Sequence, residues 1–195
     1  MEQGLFEGKQ SCVFTGHRPQ GLPMGGDEAA AEMAVLKQRL LISVEQAVRC
    51  GVETFYAGGA MGFDMLAAET VITLRDWFPR LILNLALPSR TQSERYPPEQ
   101  RQRYQRLMMF ADGVWYASQA DNSVVSMSMR NRYMVEHADC CIAFLSSASG
   151  GTFQTVRYAR KRGLPVLNLA DGKLEQTTPL DLVGPDKPAD PGTLG

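Results

Sequence analysis

Three short segments gather the glycines, hydroxyls and cations from which an anion-binding site is built. The first is Thr15-Gly16-His17-Arg18-Pro19. Gly16 allows close approach of the backbone, Arg18 can hold a phosphate through two parallel N–H groups, and His17 can hydrogen-bond a phosphate or a sugar. Taken alone, this segment reads as a plain turn with a solvated arginine. The second is Ala57-Gly58-Gly59-Ala60-Met61-Gly62-Phe63-Asp64. Its glycines suit a nest of backbone N–H groups around a phosphate. The spacing is neither the G-x-G-x-x-G dinucleotide fingerprint nor a P-loop, which would need a Lys-Ser/Thr pair. Asp64 has two roles open to it, capping the helix that follows or accepting a hydrogen bond from a ribose hydroxyl. The third segment runs Ser146-Ser147-Ala148-Ser149-Gly150-Gly151-Thr152, with Thr155 one turn further on. Small residues leave room there, and hydroxyls offer hydrogen bonds.

A fourth stretch, Met129-Arg130-Asn131-Arg132-Tyr133-Met134, is expected near the start of a helix. Cations so early oppose the helix dipole, and an anionic ligand would relieve that conflict. Arg130 is the expected phosphate partner, and Arg130→Ala is expected to weaken binding while sparing the fold.

These segments need a frame that carries them to one place. Short apolar runs alternate with longer helical patterns, the signature of βαβ units and a mainly parallel sheet. Strands are predicted at 11–15, 53–57, 81–86, 113–116, 140–145 and 166–169. Helices are predicted to carry Met33 to Val48, Phe63 to Trp77, Tyr104 to Ala111, Arg130 to Met134, and Thr152 to Arg162. Residues 121–128 read as a loop and 88–98 as a polar, irregular connection. The expected fold is a three-layer, Rossmann-like α/β domain over residues 11–170. A ten-residue extension precedes it, and a Pro/Gly-rich tail, 171–195, follows. In such sheets ligands bind at the carboxyl ends of the strands, where all three segments fall.

The 195 residues suffice for one well-packed domain, and a formal net charge of −1 gives no global case for a nucleic-acid or membrane partner. No signal-like start and no long apolar run are evident, so a cytoplasmic location is expected. Four cysteines (12, 50, 140 and 141) form no C-x-x-C pair, and only two histidines accompany them, so no metal site is expected. Cys140 and Cys141, adjacent on a strand, should point to opposite faces.

Taken in order, Thr15-Gly16-His17-Arg18-Pro19, Gly58-Gly59-x-x-Gly62-Phe63-Asp64 with Ala67-Ala68-Glu69, Arg130-Asn131 and Gly150-Gly151-Thr152 resemble the YpsA family of the SLOG superfamily. The resemblance runs from Cys12 to about Leu169. It implies a nucleotide-type ligand, such as NAD, ADP-ribose or a nucleoside monophosphate. It also implies the pairing into homo-oligomers frequent among SLOG relatives, with Trp115 or Tyr116 near the interface. The spacing of Arg130, Met134, Asp139 and Gly150-Gly151 is similar to that of LOG proteins, which are nucleoside-monophosphate phosphoribohydrolases. Arg130 matches their catalytic Arg, but their catalytic Glu has no match, because Phe153-Gln154-Thr155-Val156-Arg157 holds no carboxylate. Arg130-Asn131-Arg132 resembles the R-N-R of the single-stranded-DNA-binding protein DprA. Arg101, Arg103 and Arg106 add charge on one helix, with Glu94 and Glu99 nearby.

Three functions follow in order of expectation. The first is binding of a small phosphorylated, nucleotide-derived ligand as a sensor or regulatory domain. The second is hydrolysis of a nucleotide N-glycosidic bond, with Asp64 or Glu69 replacing the missing Glu. The third is binding of single-stranded DNA. No catalytic residue is assigned.

Overall fold

The computed structural model describes residues 4–119 and 122–170. Among these residues, apolar runs form six strands, and the amphipathic stretches between them form five α-helices. In chain order these are β1 (Ser11–Gly16), α1 (Ala31–Arg49), β2 (Thr54–Ala57), α2 (Phe63–Leu74), β3 (Ile82–Leu87), α3 (Pro98–Phe110), β4 (Gly113–Tyr116), α4 (Val124–Glu136), β5 (Cys140–Phe144), α5 (Gly150–Lys161) and β6 (Val166–Asn168). Every strand pairing is parallel, in the order β4-β3-β2-β1-β5-β6. The chain lays strands outward from β1 to β4, then returns to place β5 on the other side of β1. At that reversal Phe14 lies beside Ile142 and Gly16 beside Phe144. Helices leave β1 and β5 in opposite directions, which opens a crevice at their carboxyl ends.

Two apolar layers cover the sheet. On one face Phe14, Phe55, Leu83 and Leu85 pack with Met33, Leu40, Phe63, Met65 and Leu107 of α1, α2 and α3. On the other, Val13, Ala86, Cys141 and Ala143 pack with Met134, Val135, Val156 and Ala159 of α4 and α5. The neighbouring cysteines divide between the layers, Cys140 to the first and Cys141 to the second, as strand alternation requires. Burial pushes the Cys12 and Cys141 thiols up, so both are protonated and unreactive. Among the described residues no three His, Cys, Asp or Glu side chains gather as metal ligands would, and no helix is long and apolar enough to cross a membrane. Phe6, in the segment before β1, is fully buried in the first layer. The predicted tail, 171–195, lies outside the described residues.

Three helix starts differ from the expected ones. α3 begins at Pro98, where a missing N–H costs nothing. α5 begins at Gly150 rather than Thr152. α4 begins at Val124, where residues through 128 read as a loop. Ser123 caps it, accepting from the Ser126 N–H at 3.2 Å. Val124 and Val125 are 83% and 66% exposed, so the apolar pattern of this turn misreports its inner face. Arg130 consequently sits mid-helix, and the dipole conflict expected of it does not arise.

Asp139 stands at the amino edge of the sheet, far along β1 and β5 from the crevice. Its carboxylate accepts from the N–H groups of Gln10 and Ser11, both at 3.1 Å, and from Ser11 Oγ at 2.8 Å. Burial opposes its ionisation, but these donors outweigh it and hold the carboxyl below its usual range. A carboxyl depressed in the folded state stabilises at neutral pH, and that stability is lost as pH falls through the folded value. Asp139→Ala is expected to lose about 1 kcal/mol at pH 7, small because the group is exposed. The difference from wild type should shrink below about pH 4 in urea unfolding.

Candidate functional site

Loops from β1, β2 and β5 meet over the crevice. Phe63 N–H donates to the His17 carbonyl at 3.1 Å, which ties the start of α2 to the loop after β1. Gly62 makes this approach feasible. Its φ is +95°, and a Cβ there would lie 2.6 Å from the same carbonyl oxygen. From the far side, Ser146 N–H donates to His17 Nε2 at 3.0 Å, and Ser146 Oγ donates to the Gly21 carbonyl at 3.4 Å. Burial lowers the His17 pKa. The neutral ring therefore accepts at Nε2 and carries its proton on Nδ1. His17 is a bracket between the first and third loops.

Asp64 and Arg130 form the floor. Asp64 is 5% and Arg130 6% exposed, and Arg130 Nη1 approaches Asp64 Oδ2 at 3.5 Å. That separation is long for a charge-assisted bond, which normally closes below 3 Å. The N–H groups of Ala60 and Gly58 also point at the Asp64 carboxylate. Gly62 is the N-cap of α2 and makes no side-chain cap, so Asp64 serves the loop rather than capping the helix. Burial raises the Asp64 pKa, and Arg130 and Arg18 counter it only in part. Arg18 is exposed at the rim yet acts on both buried partners. Two guanidiniums thus bear on one carboxylate, leaving a surplus positive charge at the sheet edge.

Arg130 comes from α4, on one face of the sheet, and Asp64 from α2, on the other. Gly58 lets them meet. A Cβ on it would lie 1.4 Å from Arg130 Nη1 and 2.5 Å from Asp64 Oδ2. Its φ lies outside the left-handed region, so the missing side chain matters here and not backbone freedom.

The remaining expected residues divide. Thr15 is buried at the end of β1, Gly16 packs on Phe63, and Gly59 is buried beside Leu87 and Tyr104. Gly150 and Gly151 lie open, with nothing within 4 Å of a Cβ, and Thr152 and Asn131 are half-buried. Thr155 donates its hydroxyl to the Gly151 carbonyl at 2.9 Å and is 3% exposed, so its donor hydrogen is spent inside α5. Glu69 pairs with Arg103, which also binds Glu28, so its carboxylate is held away from Arg130. Arg101 donates to the Glu94 and Tyr96 carbonyls at 2.6 and 3.2 Å.

A fourth wall has no local signature in the sequence. Between β3 and α3, Gln92 Nε2 donates to the Gly58 carbonyl and to Tyr96 Oη, both at 3.0 Å, and Tyr96 Oη donates to the Gly59 carbonyl at 3.4 Å. Gln92 and Tyr96 are 4% and 6% exposed. The segment reads as polar and irregular because its buried groups satisfy a distant loop and follow no periodicity. The pair of prolines after Tyr96 is the one local sign of order.

Residues 12–162 match the sequence profile of YpsA, the YspA SLOG family. The chain belongs to this family. Among curated relatives, the family member is 28% identical to the uncharacterized SPbeta prophage-derived protein YoqJ of Bacillus subtilis over 141 residues, covering 66% of this chain and 82% of that one. It is 27% identical to a UPF0398 protein of Bacillus pumilus, over 72% of this chain and 75% of that one. Two solved DNA processing protein A chains share the fold. One, from Helicobacter pylori and described by its single-stranded DNA binding mode, has a TM-score of 0.56 at 20% identity. The other, from Streptococcus pneumoniae, has a TM-score of 0.55 at 12% identity. Each match covers 80% of this chain but only 63% and 49% of the solved chains.

Proposed function

We propose that this SLOG domain binds a small phosphate-bearing, nucleotide-type ligand at the carboxyl edge of its sheet and works as a sensor or regulatory domain in the cytoplasm. The observation that carries the reading is the convergence of Arg18 and Arg130 on the single carboxylate of Asp64. An anion offsets the surplus charge, and the open glycine N-terminus of α5 adds unpaired N–H groups at the same edge. The phosphate sits between Arg18 and the Gly150-Gly151 turn, and the sugar lies toward Asp64. NAD, ADP-ribose and nucleoside monophosphates are the ligand classes that fit.

Hydrolysis of the ligand's N-glycosidic bond is the second reading, favoured by one observation: Asp64 shares the floor with Arg130, whereas Glu69 does not. Asp64 is already committed to Arg130 and two loop amides, which leaves it a poor activator of water. DNA binding has less support, because Arg101 and Arg103 of α3 are occupied by neighbouring carbonyls and carboxylates.

A thermal-shift screen with AMP, NAD, ADP-ribose, cyclic nucleotides and a short single-stranded DNA tests the order. Binding to the folded state alone raises the melting temperature, by an amount set by about 2.7 kcal/mol at a hundredfold excess over Kd. A rise with at least one mononucleotide or dinucleotide is the expected result. A rise with DNA only would overturn the proposal, and adenine release from AMP would move it to hydrolysis.

A further inference from the structure

Gln92 Oε1 and Arg130 Nε are both enclosed, and neither has a hydrogen-bond partner among the described residues. They flank the same residue. Gln92 Nε2 holds the Gly58 carbonyl, and the Arg130 guanidinium lies where a Gly58 side chain would be. Reversing the Gln92 amide offers no remedy, because its oxygen would then face the Gly58 carbonyl, acceptor against acceptor. The amide is therefore fixed with its oxygen unanswered. Buried polar atoms left unpaired are costly, and folded proteins retain few of them.

The two atoms are complementary in type: one accepts and the other donates. A phosphate or carboxylate oxygen would satisfy Arg130 Nε and be repelled by Gln92 Oε1. An ammonium would do the reverse. A hydroxyl satisfies both, accepting from the guanidinium and donating to the amide oxygen. We propose that Gln92 Oε1 and Arg130 Nε form a subsite for a sugar hydroxyl of the bound nucleotide, which makes Gln92 a specificity-determining residue for ribose over deoxyribose. This rests on the nucleotide reading above. Access comes past the 3.5 Å contact of Arg130 with Asp64, a pair loose enough to part for the sugar that lies toward Asp64. Water carries the same chemistry and is the alternative source of the hydroxyl.

Isothermal titration of the full chain with AMP, 2′-deoxy-AMP and 3′-deoxy-AMP separates the sources. Loss of one of the two hydroxyls is expected to weaken binding about tenfold or more, since it leaves the buried pair unanswered. In Gln92→Met, which keeps the side chain's length and removes the acceptor along with the Nε2 donor, the penalty for the missing hydroxyl should shrink to the part owed to Arg130 Nε. Equal binding of all three by the wild-type protein would assign the pair to water and overturn the subsite, with the nucleotide reading intact. Undiminished discrimination in a folded Gln92→Met would also overturn it. Failure of every nucleotide to bind would overturn both readings. Should Gln92→Met not fold, the wild-type comparison decides alone.

Discussion

Arg130→Ala is expected to cost about 3–5 kcal/mol of folding stability, because it strands the buried Asp64 carboxylate without its main counter-charge. The sequence alone makes Arg130 a removable binding residue. Its 6% exposure and its position over Gly58 make it part of the fold as well. The loss should depend on pH in a definite sense. A carboxyl whose folded pKa exceeds its unfolded value binds more protons folded than unfolded, so stability falls as pH rises through the folded value. The Asp64 pKa is already raised by burial, with Arg130 and then Arg18 restraining the rise. Removing Arg130 extends that rise, so the variant should regain part of its stability between pH 7 and pH 5. Urea unfolding at the two pH values is the check. A loss below about 1 kcal/mol with no pH dependence would mean that Asp64 is solvated and the pair is incidental.

Gly58→Ala should reproduce much of that damage from the backbone side. The new methyl would coincide with Arg130 Nη1, at 1.4 Å, and crowd Asp64 Oδ2, at 2.5 Å. The guanidinium is flexible and can swing aside, but doing so breaks the pair, so the expected cost is about 2–4 kcal/mol. Both substitutions act on one contact, and their combination should cost clearly less than the sum. Chemical unfolding of the single and double variants measures this. Additivity within about 0.5 kcal/mol would show that Gly58 is required for some other reason.

Much of the frame is legible from local pattern. Cys140 to Phe144 is apolar throughout because both faces of a central parallel strand are covered, and Gly51 and Gly163, with φ of +108° and +80°, mark the ends of α1 and α5. The meeting of the three glycine-bearing loops follows from the same frame, since strands in one parallel sheet deliver their carboxyl ends to one edge. Long-range polar contacts are not legible in this way. Nothing near Glu69 announces Arg103, 34 residues on, and nothing near Gly58 announces Gln92, also 34 residues on. Thr155 looks like a ligand hydroxyl until its own helix is seen to take the hydrogen. The start of α4 is hidden for another reason: its valines face outward, and the cap that begins it is a single serine.

Arg18 offers the most direct test of the binding site, because it is exposed and its side chain can be changed without unpacking the floor. Arg18→Glu reverses the surplus charge at the rim while leaving Asp64, Arg130 and Gly58 in place. The measurement is isothermal titration of the nucleotide that most stabilises the wild-type protein, repeated on the variant with its melting temperature recorded. Affinity reduced at least a hundredfold in a variant that still melts cooperatively is the expected result, about 2.7 kcal/mol for the lost and reversed charge. Unchanged affinity in the folded variant would contradict it, and would place any bound phosphate away from this edge of the sheet.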